Sequence, residues 1–290
     1  MLGSSANHAP IRLAFFVDSL QVGGSELNAI RTLERLDRER FDVTVYHMAS
    51  EGPLLERYQR LGIPMERVRI RSFRHPSSLQ AGWRLRRSLR RRRIQILHSH
   101  DIYSNIISIP WARLAGTPVV IASRRWQYAV PSRFHVVANR LVSRWATHVL
   151  ANSRAVAGTL EREDHVPGTR IEIIPNFVGE DAFAEYPTDD RREALAAFGV
   201  PEGALVVGTV ARLSPTKDHA TLLRAITPLL GRFRTLHLLL IGSGPTREAL
   251  LAQAATLGIS DRVHFAGTVP NTPNPHALLD LSVLPSTTEG

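Results

Sequence analysis

Short apolar, β-branched runs alternate with amphipathic stretches along the whole chain, the pattern of parallel sheets covered by helices on both faces. In the first half, strands are predicted at Ile11–Val17, Asp42–Met48, Arg67–Ile70, Ile94–His98, Pro118–Ala122, His148–Ala151 and Ile171–Ile174. Helical periodicity falls between them at Ser25–Leu36, Pro53–Leu61, Ser77–Arg92, Tyr103–Ala115, Arg133–Ala146 and Ser153–Glu163. Pro110 is expected to kink or shorten the fourth of these helices.

The stretch Val178–Gly203 turns acidic and polar around one short helix, and a domain boundary is read near its start. Strands then resume at Leu205–Val210, His237–Ile241, Val263–Phe265 and Leu281–Leu284, with helices at Lys217–Leu230, Thr246–Leu257 and Pro275–Leu279. The fold class is therefore α/β: two Rossmann-like doubly wound domains, residues 1–178 and 179–290, the second incomplete. Ligands of such sheets sit beyond the carboxyl ends of the strands, so two of them are expected to form a site by facing each other.

Charge changes the picture for the first half. Through Glu180 there are 27 Arg and Lys against 15 Asp and Glu, while the remainder carries 9 against 11. Either this half faces something anionic, or the chain simply favours arginine, which supplies 35 of its 36 basic residues. The stretch Trp83–Arg93 concentrates the question: it can lie on an anionic membrane or be a solvated outer helix. Nucleic acid is not expected, because aromatics interleave only sparsely (Trp126, Tyr128) with Arg124 and Arg125. There is no cysteine, no apolar run of membrane-spanning length and no secretory leader, which together predict a cytoplasmic protein, at most peripheral at the inner face of the membrane.

Candidate chemistry lies where strands end. Gly23 and Gly24 follow the first strand, and Gly242 and Gly244 follow another; each pair fits a phosphate-facing loop or a plain turn, with Ser25 as the N-cap in the first case. Neither has the spacing of a dinucleotide binder. Arg212 and Lys217 flank a strand-to-helix turn where a fork-shaped guanidinium and a mobile ammonium suit a departing diphosphate. Lys217 is the only lysine of the chain, which favours a role beyond surface charge. His98, His100 and Asp101 end a strand, with both imidazoles on one face; nothing nearby supports a metal, and a polar contact to a sugar competes with a helix cap. Glu289 near the end offers a carboxylate to sugar hydroxyls.

In order along the chain, these segments resemble the family 4 glycosyltransferases, retaining enzymes of the GT-B fold. The marks are Gly23-Gly24-Ser25-Glu26, Leu97 to Asn105, Ala151 to Val156, Ile174-Pro175-Asn176, Ala211 to Lys217, Ile241 to Pro245 and Leu284 to Gly290. The resemblance implies a catalytic set of His100 near the anomeric carbon, Arg212 and Lys217 on the leaving diphosphate, and Glu289 on the donor sugar. It implies substrate contacts at Gly23, Gly24, Asp101, Asn105, Gly242, Gly244 and Val269. It also implies a nucleotide-sugar co-substrate, with a UDP-sugar the candidate, a glycan or lipid-linked acceptor, and neither a metal nor another cofactor. The second glutamate of the family's paired motif would lie beyond Gly290, so weak donor binding and little turnover are expected of these 290 residues alone.

Overall fold

A computed structural model describes residues 9–70, 72, 75–125, 133–179, 183, 187–269 and 274–287. Contacts divide the chain into two compact units, one ending at Phe177 and the other starting at Val178.

The first unit is built on β1 (Ile11–Val17), whose last five residues are buried. An apolar run without alternation, IRLAFFV, suits a strand covered on both faces. Then follow α1 (Gly24–Arg35), β2 (Phe41–His47), α2 (Leu55–Arg60) and β3 (Met65–Arg67). The chain crosses back through α3 (Ser77–Arg91) to β4 (Ile96–His100). It continues as α4 (Ile102–Ala115), β5 (Val119–Arg124), α5 (Arg133–Ser143), β6 (His148–Ala151), α6 (Arg154–Arg162) and β7 (Ile171–Ile173). All neighbours pair in parallel in the order β3-β2-β1-β4-β5-β6-β7. The winding direction reverses between β1 and β4, which opens a crevice at the carboxyl ends of those two strands. Phe15, Ile30, Leu33 and Tyr58 fill one face of the sheet; Phe16, Leu85, Leu97 and Ile109 fill the other.

The second unit contains α7 (Thr188–Ala197), β8 (Leu205–Val210), α8 (His219–Arg232), β9 (Leu236–Ile241), α9 (Arg247–Thr256), β10 (Val263–Gly267) and β11 (Leu281–Ser282). Its parallel sheet has the order β10-β9-β8-β11, so its reversal falls between β8 and β11. Every residue of β9 is buried, as a central strand requires.

Several elements depart from the sequence expectation. β3 lies at Met65–Arg67 rather than Arg67–Ile70, because its register is set by pairing with Val45–His47 of β2. β4 runs two residues past its predicted end and takes in His100, which pairs with Val17 on one side and Ser123 on the other. Backbone pairing on both sides carries the strand through polar residues. Pro110 does not shorten α4, which still ends at Ala115 with Gly116 as a left-handed cap at φ 80°. Lys217 does not open a helix: Pro215–Lys217 form a 3-10 turn, and Asp218, at φ 45°, caps α8 by accepting from Thr221 N–H. Ser25 is not an N-cap; that position is Gly23, without a side-chain cap. The segment Pro275–Leu278 is a 3-10 turn rather than a helix.

Candidate active site

In the first unit, the ends of β1 and β4 bring carboxylates together. Asp18, Glu26 and Asp101, with Ser19, Met48 and Tyr103, line a cavity of about 320 Å³. Asp101 is held at φ 96° and accepts from the N–H of Ile102 at 2.8 Å, which fixes the start of α4. Burial, followed by the charges of Asp101 and Glu26, raises the pKa of Asp18 from 3.8 to about 8. Three carboxylates facing one space cannot all ionise cheaply, so this cavity holds a proton at neutral pH. Gly24 has open space where a side chain would stand, so its backbone is accessible. Neither glycine of this pair needs a positive φ.

His98 and His100 lie on the same face of β4 with ring centroids 4.9 Å apart, and Phe15 packs against both. Nε2 of His98 is engaged with Ser123 Oγ at 2.8 Å. Burial, then the guanidinium of Arg125, lowers the pKa of His98 to about 3 and holds His100 well below the ordinary imidazole range. Both rings are therefore neutral. Arg125, just past β5, reaches Asn176 Oδ1 at 2.7 Å and His100 Nε2 at 3.2 Å. Burial lowers its own pKa to about 10, which leaves it charged. Its neighbour Arg124 turns inward and pairs with Asp164; both side chains are buried, and Arg140 approaches the other carboxylate oxygen at 3.8 Å. Asn105, expected at the substrate, is only 1% exposed. Its amide donates to Ser123 O at 3.0 Å, so it ties α4 to β5 instead of facing the crevice.

In the second unit the arrangement is one loop laid upon another. A β-carbon on Gly242 or Gly244 would overlap the carbonyl oxygen of Ala211 or Leu213 respectively. The two segments are joined by Ala211 N–H to Ile241 O at 3.0 Å, Leu213 N–H to Ser243 O at 3.0 Å and Thr246 N–H to Leu213 O at 3.2 Å. On the side where a β-carbon would stand, these glycines therefore permit close backbone packing against the 211–213 segment. The effect is to anchor Arg212, which is exposed at the carboxyl end of β8. Lys217 stands half-buried on the next turn, against which the tail after β11 docks through Thr287 N–H to Thr216 O at 3.0 Å. His219, at the start of α8, is 2% exposed with neither ring nitrogen hydrogen-bonded, and burial lowers its pKa. Val269 is half-buried and packs on the hydrophobic cluster of Val206, Leu239 and Ile241. Glu289 lies outside the described residues, as do Trp126 and Tyr128.

The structure thus places His100 and Asp101 at the end of β4 in the first unit and Arg212 and Lys217 on the segment between β8 and α8 in the second, while Asn105 is buried and Val269 half-buried. Sequence reading missed Asp18 and Arg125 as polar groups at strand ends, and His219 as a buried group at the start of α8. Two adjacent arginines closing a buried strand were the available signal for Arg125. Among the described residues no group of three or more His, Cys, Asp or Glu is placed to hold a metal ion.

Two parallel sheets, each with a reversal in its winding, define the doubly wound α/β class of protein. The family model described as Glycosyltransferase Family 4 matches residues 22–181, and that described as Glycosyl transferases group 1 matches residues 190–290. The chain belongs to glycosyltransferase family 4. It is 30% identical over 191 residues to a 2-deoxystreptamine glucosyltransferase of Streptomyces kanamyceticus, covering 61% of this chain and 49% of that protein. It is 25% identical over 298 residues to a 2-deoxystreptamine N-acetyl-D-glucosaminyltransferase of Streptomyces fradiae, covering 92% of this chain and 70% of that protein. The chain thus spans about half the length of the first of these relatives. Among solved structures, Anabaena HepE in complex with UDP superposes with a TM-score of 0.79 at 20% identity, over 96% of this chain and 74% of that one. WaaG, a glycosyltransferase involved in lipopolysaccharide biosynthesis, gives 0.65 at 15% identity over 95% of this chain and 75% of its own. The fold is of the GT-B type.

Proposed function

We propose that the protein transfers a glycosyl unit from a nucleoside-diphosphate sugar to a hydroxyl of a polyol, glycan or lipid-linked acceptor, with retention at the anomeric carbon. The observation that carries this reading is the pairing of exposed Arg212 with Lys217 at the end of β8, on a segment anchored by the Gly242–Gly244 loop. A departing diphosphate gains negative charge, and fixed cations that need no reorganisation meet that demand best. Complexes of HepE with UDP and with UDP-glucose support a UDP-sugar as the donor.

On the acceptor side, the carboxyl groups of Asp18, Glu26 and Asp101 around their cavity suit the hydroxyls of an acceptor. Relatives named for transfer to 2-deoxystreptamine and to D-inositol 3-phosphate support a hydroxyl-rich ring as the acceptor class. No metal or further cofactor is assigned a role. The reading is tested by a product assay with a panel of UDP- and GDP-sugars against cyclitol and glycan acceptors, using a version extended to the length of the relatives. Nucleotide-sugar consumption without a glycosylated product from any acceptor would overturn it.

A second reading concerns location. Trp83 on α3 is 57% exposed with Arg86 stacked over its ring at 4.9 Å, and Arg84, Arg87, Arg90 and Arg91 line the same groove. An exposed indole among arginines favours peripheral contact with an anionic lipid surface at the inner face of a membrane, each cation near the surface adding about 1 kcal/mol. Among the described residues no helix is long and apolar enough to cross a membrane. Co-sedimentation with anionic vesicles tests the contact.

A further inference from the structure

His100 closes β4 with its ring 3% exposed, packed at 4.9 Å from the rings of both Phe15 and His98. Its Nε2 faces Nη2 of Arg125 at 3.2 Å. A guanidinium carries five N–H groups and no acceptor, and it does not deprotonate at neutral pH. The hydrogen of this contact therefore belongs to arginine, and Nε2 offers its lone pair. A neutral imidazole with a bare Nε2 carries its proton on Nδ1.

Arg125 is itself fixed in place. Nη1 donates to Asn176 Oδ1 at 2.7 Å, and its carbonyl accepts from Asn152 Nδ2 at 2.9 Å, so the segments following β6 and β7 both hold it. The charged and titratable groups facing this pair are His98 on β4 and Asp101 at the start of α4. His98 is neutral, and Asp101 favours the charge on Arg125.

We infer that Arg125 is a positioning residue that locks His100 as the neutral Nδ1–H tautomer, so that His100 meets a substrate oxygen as a hydrogen-bond donor and not as a base. A second proton on His100 would have to displace the Arg125 contact and sit beside its positive charge; both oppose imidazolium formation. The assignment of a substrate oxygen rests on the glycosyl-transfer reading, whereas the tautomer does not.

Long-range proton–nitrogen correlation spectra of the histidine rings decide it on the ¹⁵N-labelled chain, with His100→Gln assigning the resonance. The expected native pattern is a protonated Nδ1 and a bare Nε2, unchanged between about pH 5 and 8. In Arg125→Met, Nε2 loses its donor, so the ring should exchange between tautomers; Arg125→Lys should restore the native pattern. A native proton on Nε2, an imidazolium at about pH 6, or an unaltered spectrum in Arg125→Met would each overturn the inference. Should Arg125→Met fail to fold, the native spectrum alone reads the tautomer. No turnover is measured, so failure of the glycosyl-transfer assay leaves this result standing, and failure here leaves that assay standing.

Discussion

Gly242 lies directly against the carbonyl of Ala211, so closely that a β-carbon would overlap the oxygen, and its φ of 142° is one that side chains rarely adopt. This backbone-on-backbone contact fixes the segment from which Arg212 projects. Gly242→Ala is expected to destabilise the second unit by about 1–3 kcal/mol through overpacking and to weaken donor binding at the same time. Thermal unfolding and nucleotide titration read the two effects. Unchanged stability would mean that the loops are not in contact.

Lys217 and Arg212 are the cations on which the chemistry is placed. Lys217→Ala is expected to lower kcat by roughly 10²–10³, the cost of removing one preorganised charge-stabilising donor, with a smaller effect on KM. Steady-state kinetics on a version extended to the relatives' length make the comparison. An undiminished kcat would remove Lys217 from the mechanism.

Asp18 predicts a pH-dependent stability. In the folded chain it keeps its proton up to about pH 8, while the unfolded group ionises near 3.8. Between those values the native state binds more protons than the unfolded one, so this group's contribution is full at low pH and is lost as pH rises. Asp18→Asn should therefore raise the melting temperature most at about pH 8–9, the gain fading toward about pH 4. A gain of equal size at both ends would contradict the raised pKa.

The buried pair of Arg124 and Asp164 is vulnerable to losing one partner. Asp164→Ala removes the buried carboxylate that Arg124 pairs with and is expected to cost about 3–5 kcal/mol, measured by denaturant unfolding. A loss below about 1 kcal/mol would indicate that Arg124 reaches water when its partner is removed.

Binding of the chain to anionic vesicles should fall steeply as salt is raised, and Trp83→Ala should weaken it without shifting the melting temperature, since that indole is more than half exposed. Equal binding to neutral vesicles would argue against a role for the arginines.

The alternation of apolar runs and amphipathic stretches by itself determined the two parallel sheets and most of their strands, because burial on both faces writes a continuous apolar signature into each central strand; the ordered motifs carried the resemblance to the family. The strand-end positions of His100, Arg212 and Lys217 were legible for the same reason: side chains just past such strands stand at the edge where ligands bind. Tertiary structure alone decided how those side chains are used. Asn105 looks like a crevice residue in the sequence, yet it satisfies a backbone carbonyl. That Gly242 and Gly244 pack against backbone about thirty positions earlier appears only in the folded chain. The proton on Asp18 depends on burial and then on the neighbouring Asp101 and Glu26, and the tautomer of His100 depends on Arg125 from the end of another strand. A sequence records residue type and local period, whereas burial, electrostatic neighbours and hydrogen-bond partners arise from segments distant along the chain, and only the folded arrangement brings them within range.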